Sequence, residues 1–192
     1  MEPTLTGAEA PTVRRGGAWM TPLAGAILLV GAIVFLWRAP GSYQIFKSLH
    51  IAFAVIWVGG GTGLTVTALV AQRENDTQQL LALGKQAAFL GEKIFTPASF
   101  VVLAFGIAMV EKVDWGWGTF WVDFALVVWA LSTAIGVGYL APVSKKLTAL
   151  LAEKGPDDPE VRPLLDRLIG VARFDVVMLI LIVIDMAAKP SF

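Results

Sequence analysis

The sequence predicts an all-α membrane protein, in which a four-helix transmembrane bundle follows one N-terminal transmembrane helix. Of the 192 residues, 56% are hydrophobic and only 16% are charged, which is more apolar surface than a soluble domain of this length can bury. Residues 51–71 carry no charge and are long enough to cross about 30 Å of hydrocarbon. The chain contains no cysteine, which excludes disulfides and thiolate metal sites.

Each predicted element follows from its local composition. Residues 1–18 are polar and rich in Pro, Gly and Thr, so we expect a disordered cytoplasmic tail. An N-terminal transmembrane helix is predicted at 19–38, because Trp37 and Arg38 stand where a signal peptide would have small cleavage-site residues. The bundle is predicted at 43–190, with spans at about 43–72, 93–110, 119–144 and 171–188 and an amphipathic surface helix at 77–92.

Successive loops between the predicted spans lie on opposite sides of the membrane, and they differ in their number of Lys and Arg residues. Eleven lie on the side of the N-terminus, and only four lie on the other side: Arg38, Lys47, Lys112 and Lys189. The positive-inside rule therefore predicts a cytoplasmic N-terminus and an external C-terminus. A net charge of zero argues against nucleic acid as a partner. The expected partner is the lipid bilayer, joined by another membrane protein or a second copy of this chain.

Five polar side chains are predicted to share one level in the outer leaflet. At 1.5 Å per residue, His50 lies about 10 Å inside the second helix, and Lys47 lies one turn above it. Asp123, Asp185 and Lys189 fall at a similar depth on the fourth and fifth helices. Ionisable groups inside a membrane are candidate functional sites, although they also hydrogen-bond helices together. The structural role is the favoured interpretation of this cluster, and a functional role is the alternative.

The functional alternative is a redox or ligand site in which the imidazole of His50 binds haem iron or moves a proton. Trp57 lies seven residues further along the same helix face. There its ring either lies against a flat cofactor or fills the core. Haem b is then the candidate cofactor, with Lys47 beside its ligand. His50 is the single histidine of the chain, so one chain supplies one histidine ligand. No catalytic group and no other metal site are predicted.

A second polar group is expected at the cytoplasmic boundary, where Glu92, Lys93, Arg173 and Asp175 lie. Arg173 and Asp175 are two residues apart and so do not face each other on a helix. A salt bridge from Glu92 or Lys93 to the fifth helix is one interpretation. Interfacial anchoring is the other, and it is favoured.

Glycines are concentrated in the second helix. Gly59 and Gly63 form a small-xxx-small pair, which lets helix backbones approach closely. We therefore expect both glycines to face a neighbouring helix. A glycine run in the middle of a span cannot act as a nucleotide-binding loop.

Three short motifs carry a resemblance to a known family. They are Lys47-Ser48-Leu49-His50, Trp57-Val58-Gly59-Gly60, and the closing Asp185-Met186-Ala187-Ala188-Lys189-Pro190. With them the chain resembles a bacterial integral membrane family catalogued as a domain of unknown function (two-two-six-nine), over residues 43–190. That resemblance implies a multi-pass protein of the bacterial inner membrane and carries no activity with it.

More distantly, the Lys-x-x-His opening and the following Trp-x-Gly resemble HemJ-type protoporphyrinogen oxidases and copper-resistance membrane domains. This resemblance implies His50 as an axial haem ligand and Lys47 as its charge partner. The chain departs from the HemJ type at Gly60, Gly61 and Gly63, where that family has bulky and basic residues. The oxidase activity is therefore not adopted.

The sequence thus predicts a multi-pass membrane protein without catalysis of its own, as a component or subunit of a membrane assembly. The alternative is a tetrapyrrole-binding or redox membrane protein that uses His50. A small transporter is the third class, although the sequence contains no internal repeat and no paired broken helices of the kind that many transporters use.

Overall fold

The computed structural model describes residues 20–156 and 158–190, and every regular element within them is a helix. The expected tail at 1–18 lies outside the described residues. The five helices are α1 (Met20–Leu36), α2 (Ser42–Arg73), α3 (Thr77–Val113), α4 (Phe120–Lys154) and α5 (Val161–Ala188). The all-helical fold class predicted from the sequence is thereby confirmed for this part of the chain.

Three of the helices, α2, α3 and α4, are long and apolar enough to cross a membrane. α1 is apolar but shorter. The apolar half of α5 is interrupted by Arg173, Asp175 and Asp185. Membrane crossing by α1 and α5, and hence the count of four helices plus one, stays a prediction.

The amphipathic helix expected at 77–92, leading into the third span, is the first part of one continuous helix, α3. Pro97 lacks the backbone hydrogen that an α-helix would use, and its ring crowds the preceding turn. The helix accommodates it with a wider π-helical turn at Gly91–Phe95, where the Thr96 hydroxyl donates to the Gly91 carbonyl at 2.8 Å. The proline therefore adjusts the helix without ending it.

Similar π turns occur near the middle of the other two long apolar helices. They lie at Val55–Gly59 in α2 and at Gly136–Leu140 in α4. The turn in α3 contacts both of them, and α5 contacts the turns in α2 and α4. The three π turns therefore meet at one level of the bundle, where the extra residue in each turn changes the direction of the side chains.

One end of the bundle, which we call the aromatic end, is closed by ring contacts. Phe46 has no exposed surface, and its ring lies 6.0 Å from Trp37 and 5.8 Å from Phe105, centroid to centroid. Trp115 and Trp121 meet edge to face at 5.1 Å. Here α2 packs mainly against α3, and α5 packs mainly against α4. These pairings decide which side chains can meet in this half.

The opposite end has an aliphatic core shared by all four bundle helices. Its buried members include Ala71 at the end of α2, Leu80 at the start of α3, Leu147 in α4 and Leu165 in α5. The middle of the bundle, between this core and the aromatic end, is filled less completely.

A cavity between the four bundle helices

A cavity of about 180 Å³ lies between α2, α3, α4 and α5, and we call it the central cavity. All three π turns contribute residues to its lining. On α5, residues that line the cavity follow one another at intervals of three or four, so they lie on one face of the helix: Leu165, Leu168, Ala172, Asp175 and Leu179. The cavity is therefore a feature of the whole bundle and not of a single loop.

The lining is apolar except for a carboxyl group and several hydroxyls. Asp175 is the one ionisable side chain among the described lining residues. Its Oδ1 atom is buried and has no hydrogen-bond partner in the described chain, and the same holds for Oγ1 of Thr133. Ser132, the neighbour of Thr133 on α4, interacts with the Asp175 carboxyl. Two unpartnered oxygen atoms thus belong to one cavity, where each lacks the hydrogen bonds that buried polar groups normally make.

Other polar lining groups already have partners within the bundle. The Ser99 hydroxyl donates to the Thr96 carbonyl at 2.9 Å. The Trp129 indole nitrogen donates to the Ser99 carbonyl at 3.1 Å. The second of these bonds joins α4 to α3 beside the cavity. Oδ1 of Asp175 and Oγ1 of Thr133 are the buried lining oxygens that have no partner among the described residues, so they can bind a ligand.

Two aromatic rings complete the wall on the side of α2 and α3. Trp57 is 8% exposed, and Phe95 lies against the backbone of Gly60. A Cβ atom at Gly60 would come within 2.5 Å of Cε1 in the Phe95 ring. Gly60 therefore makes room for this ring beside the cavity.

At the boundary predicted to be cytoplasmic, interfacial anchoring was the favoured interpretation and a salt bridge to the fifth helix was the other; the structure has a salt bridge to the fourth helix. Glu92 accepts from Lys93 at 2.8 Å and from Lys145 of α4 at 2.6 Å, because this half of α3 packs against α4. Glu92 lies just before the predicted span at 93–110, about 31 Å along the helix from Val113. Lys145 and then Lys93 lower the pKa of the exposed Glu92 carboxyl to about 2. Among the described residues, neither Lys93 nor Lys145 bonds to Asp175.

The structure places His50 against α3. Its Nδ1 atom lies 2.8 Å from the Val102 carbonyl oxygen, and a carbonyl only accepts, so Nδ1 carries the hydrogen. The ring edge packs on Gly106, where a Cβ atom would lie 3.3 Å from Cε1 of His50. The lining of the central cavity includes Trp57 but neither Lys47 nor His50. The three candidate cofactor residues therefore do not surround this cavity.

The other members of the expected outer-leaflet cluster have separate surroundings. Asp123 is exposed, whereas Asp185 is buried and its Oδ2 atom has no partner in the described chain. The Lys189 ammonium lies over the rings of Trp115 and Trp121, at 4.1 and 5.2 Å. In the described residues no hydrogen bond or ion pair joins these groups to His50. The physical reason is the helix pairing, since α2 faces α3 in this half while α5 faces α4.

The glycines that make close contacts differ from those expected. A Cβ atom at Gly63 would have no neighbour within 4 Å, and one at Gly59 would meet only Val55 of its own helix. Neither glycine packs against a neighbouring helix of the described chain. Gly60 of α2 and Gly106 of α3 make such contacts instead, with Phe95 and His50. Gly60 directly follows the π turn of α2, which changes the side of the helix that faces the bundle.

Asp175 is the cavity residue that the sequence argument did not single out. It was grouped with Glu92, Lys93 and Arg173 because all four were placed at the cytoplasmic boundary. A signal was present, since Asp175 falls on the same stripe of α5 as Leu168, Ala172 and Leu179. A charged residue on the buried stripe of an apolar helix is a candidate site by that position alone.

Three helices long and apolar enough to cross a membrane, packed in one bundle, are typical of a helical integral membrane protein. Residues 44–190 match the family described as "Predicted integral membrane protein (DUF2269)", so the chain belongs to that family. The resemblance found from the sequence motifs is thereby confirmed. No curated protein matches the chain, and no solved structure matches it either.

Proposed function

We propose that this protein is a multi-pass component of the bacterial inner membrane that binds a small molecule in its central cavity and has no catalysis of its own. The supporting observation is the cavity between four helices with the unpartnered Oδ1 atom of Asp175 in its wall. Leaving a buried polar group without a partner costs about 1–3 kcal/mol. A ligand that bonds to Asp175 would recover this loss, which is why the cavity suits binding.

The proposed topology has five membrane crossings, with the N-terminus in the cytoplasm and the C-terminus outside. It is supported by the Lys and Arg distribution and by the aromatic end, where the partly exposed Trp37 and Trp115 and the exposed Trp117 suit an interface with lipid headgroups. A periplasm-dependent reporter fused after Phe192 should be active, and the same reporter fused near Gly155 should be inactive. The opposite pair of results would exclude this topology.

Ligand binding is tested with benzyl alcohol, a neutral probe. An engineered apolar cavity of about 150 Å³ holds benzene, so a cavity of about 180 Å³ accepts one aromatic ring. We expect benzyl alcohol to raise the unfolding temperature of the purified wild-type protein, because a ligand that binds the folded state stabilises it. The Ala172→Phe variant fills the cavity and should show no shift. Equal shifts in both proteins would mean that the probe binds elsewhere.

A second candidate function is haem binding by His50. It is favoured by the bond from Nδ1 to the Val102 carbonyl, because this bond leaves Nε2 unprotonated and able to bind a metal. The protein purified from cells supplied with haem should then show a Soret absorption band that the His50→Ala variant lacks. A spectrum without this band would exclude the haem function and leave the binding role of the cavity untouched.

A further inference from the structure

We propose that the ligand of the central cavity is a small organic ammonium ion whose charge pairs with Asp175, and that its binding releases the proton carried by this carboxyl group in the empty cavity. This inference rests on the proposed binding function, and it specifies the chemical class of the ligand.

Asp175 has no counter-ion among the described residues that line the cavity. α2, α3 and α4 contribute no titratable side chain to the described lining, and Asp175 is the only such group from α5. Arg173, on the same helix, is exposed and does not line the cavity. At the surface, Glu92 forms ion pairs with both Lys93 and Lys145. No cation of the described chain neutralises Asp175.

The protonation state of Asp175 depends on its depth in the membrane. In the proposed topology α5 crosses the membrane, and Asp175, thirteen residues before Ala188, is roughly 20 Å along the helix from that end and so within the hydrocarbon. An unpaired carboxylate at this depth is strongly disfavoured, so the group is neutral in the empty cavity. When an ammonium ion enters, the carboxylic acid loses its proton to water and the carboxylate pairs with the ammonium. One cation is bound for one proton released, and the charge of the cavity is unchanged.

The lining of the central cavity suits an organic cation better than a metal ion. The described chain contains no cluster of three His, Cys, Asp or Glu side chains that could hold a metal. Near Asp175 the unpartnered oxygens are its own Oδ1 and that of Thr133, fewer than the six or more that hard cations take. Most of the wall is aliphatic, and Trp57 adds an aromatic ring, a side-chain type that attracts cations. An ammonium group with an apolar body therefore fits this lining better.

The test measures binding of benzylammonium to the full-length protein in lipid nanodiscs by calorimetry, between about pH 5 and pH 7, where an alkylamine stays protonated. The affinity of the wild-type protein should rise about tenfold for each pH unit, because one proton leaves on binding. Buffers with different ionisation enthalpies should report the release of one proton. Benzyl alcohol, the neutral probe of similar size, should bind with no pH dependence.

The decisive variant is Asp175→Asn, which keeps the shape of the side chain and removes its charge. It should bind benzylammonium at least about tenfold more weakly than the wild type at pH 7, with no pH dependence, and should still bind benzyl alcohol. The matched control is Asp185→Asn, which changes a buried carboxyl on the same helix outside the cavity lining. This control should retain the wild-type affinity and pH dependence. Should Asp175→Asn fail to fold, Ala172→Phe serves as the second variant and should abolish binding of both probes.

The possible results separate this inference from the proposed function. If benzyl alcohol binds the cavity and benzylammonium binds no better in wild type than in Asp175→Asn, the ammonium inference is overturned and the binding function stands. If wild type binds neither probe, both are overturned. If benzylammonium binds tightly but no proton is released, Asp175 is already ionised in the empty protein, and the proton-exchange proposal is overturned.

Discussion

The aromatic end and the central cavity lie in the same bundle but differ in how their interiors are filled. At the aromatic end large rings pack against one another, and the Lys112 and Lys189 ammonium groups lie over tryptophan rings at 5.2 and 4.1 Å. Around the cavity, residues such as Gly61, Ala172 and Ser132 stand where large side chains would fill the space. The difference shows that the open part of the bundle is created by small residues on four helices at once, at the level of the π turns.

The largest contrast is expected from truncating one large side chain in each region. Phe46→Ala at the aromatic end should lower the free energy of unfolding by about 3–5 kcal/mol, because it leaves a void in a tightly packed cluster. Leu83→Ala removes a side chain that already borders empty space, so the loss should be smaller. Unfolding in mixed micelles measures both values. Equal losses would show that the cavity wall is packed as tightly as the aromatic end.

A smaller effect is expected at the glycines. Gly106→Leu should lower the unfolding free energy by about 1–3 kcal/mol, because the new side chain displaces the His50 ring from its bond to Val102. Gly63→Leu is the matched control, since Gly63 is exposed and has no neighbour within 4 Å. The control should unfold like the wild type. A destabilised Gly63→Leu protein that also loses self-association would instead indicate that Gly59 and Gly63 pack against another copy of the chain.

The smallest effect concerns Glu92, an exposed charge outside both regions. Its pKa is lowered from 4.5 to about 2 in the folded protein, so its bridges contribute stability above about pH 4.5. This contribution is lost as the pH falls through about 2. Because the group is exposed, the effect should be slight and should vanish in strong salt. Unfolding midpoints of wild type and Glu92→Gln, compared at about pH 6 and pH 2, should converge at the lower pH. A difference that persists there would contradict the charge assignment.

Much of the fold was predictable because hydrophobic runs mark helices directly. The expected start of the bundle at residue 43 lies one residue from the start of α2 at Ser42. Helix pairing was not predictable, because depth along a helix says nothing about which neighbour a residue faces. His50 and Asp185 were placed at one depth, but His50 bonds to Val102 of α3. The π turn at Gly91–Phe95 was not predicted, because a π turn leaves no clear mark in the sequence.

The site was less predictable than the fold for a related reason. Charge density drew attention to the ends of the helices, whereas the cavity depends on the small residues that line four helices together. Asp175 was visible as a charge, but its surroundings depend on Ser132 and Thr133 of α4, more than forty residues earlier in the chain. Only the assembled bundle brings these oxygen atoms to one cavity.

The central claim is that the cavity beside Asp175 admits a cation while the aromatic end is closed, and thiol labelling tests it most directly. The chain has no cysteine, so single cysteines can be introduced at Ala172 in the cavity wall and at Ala108, which is 4% exposed, in the cluster of the aromatic end. We predict that Ala172→Cys reacts faster with 2-aminoethyl methanethiosulfonate than with its anionic sulfonatoethyl counterpart. Benzylammonium should slow this reaction. Ala108→Cys should stay unlabelled. Resistance of Ala172→Cys to both reagents in the folded protein, or labelling that benzylammonium does not slow, would contradict the claim.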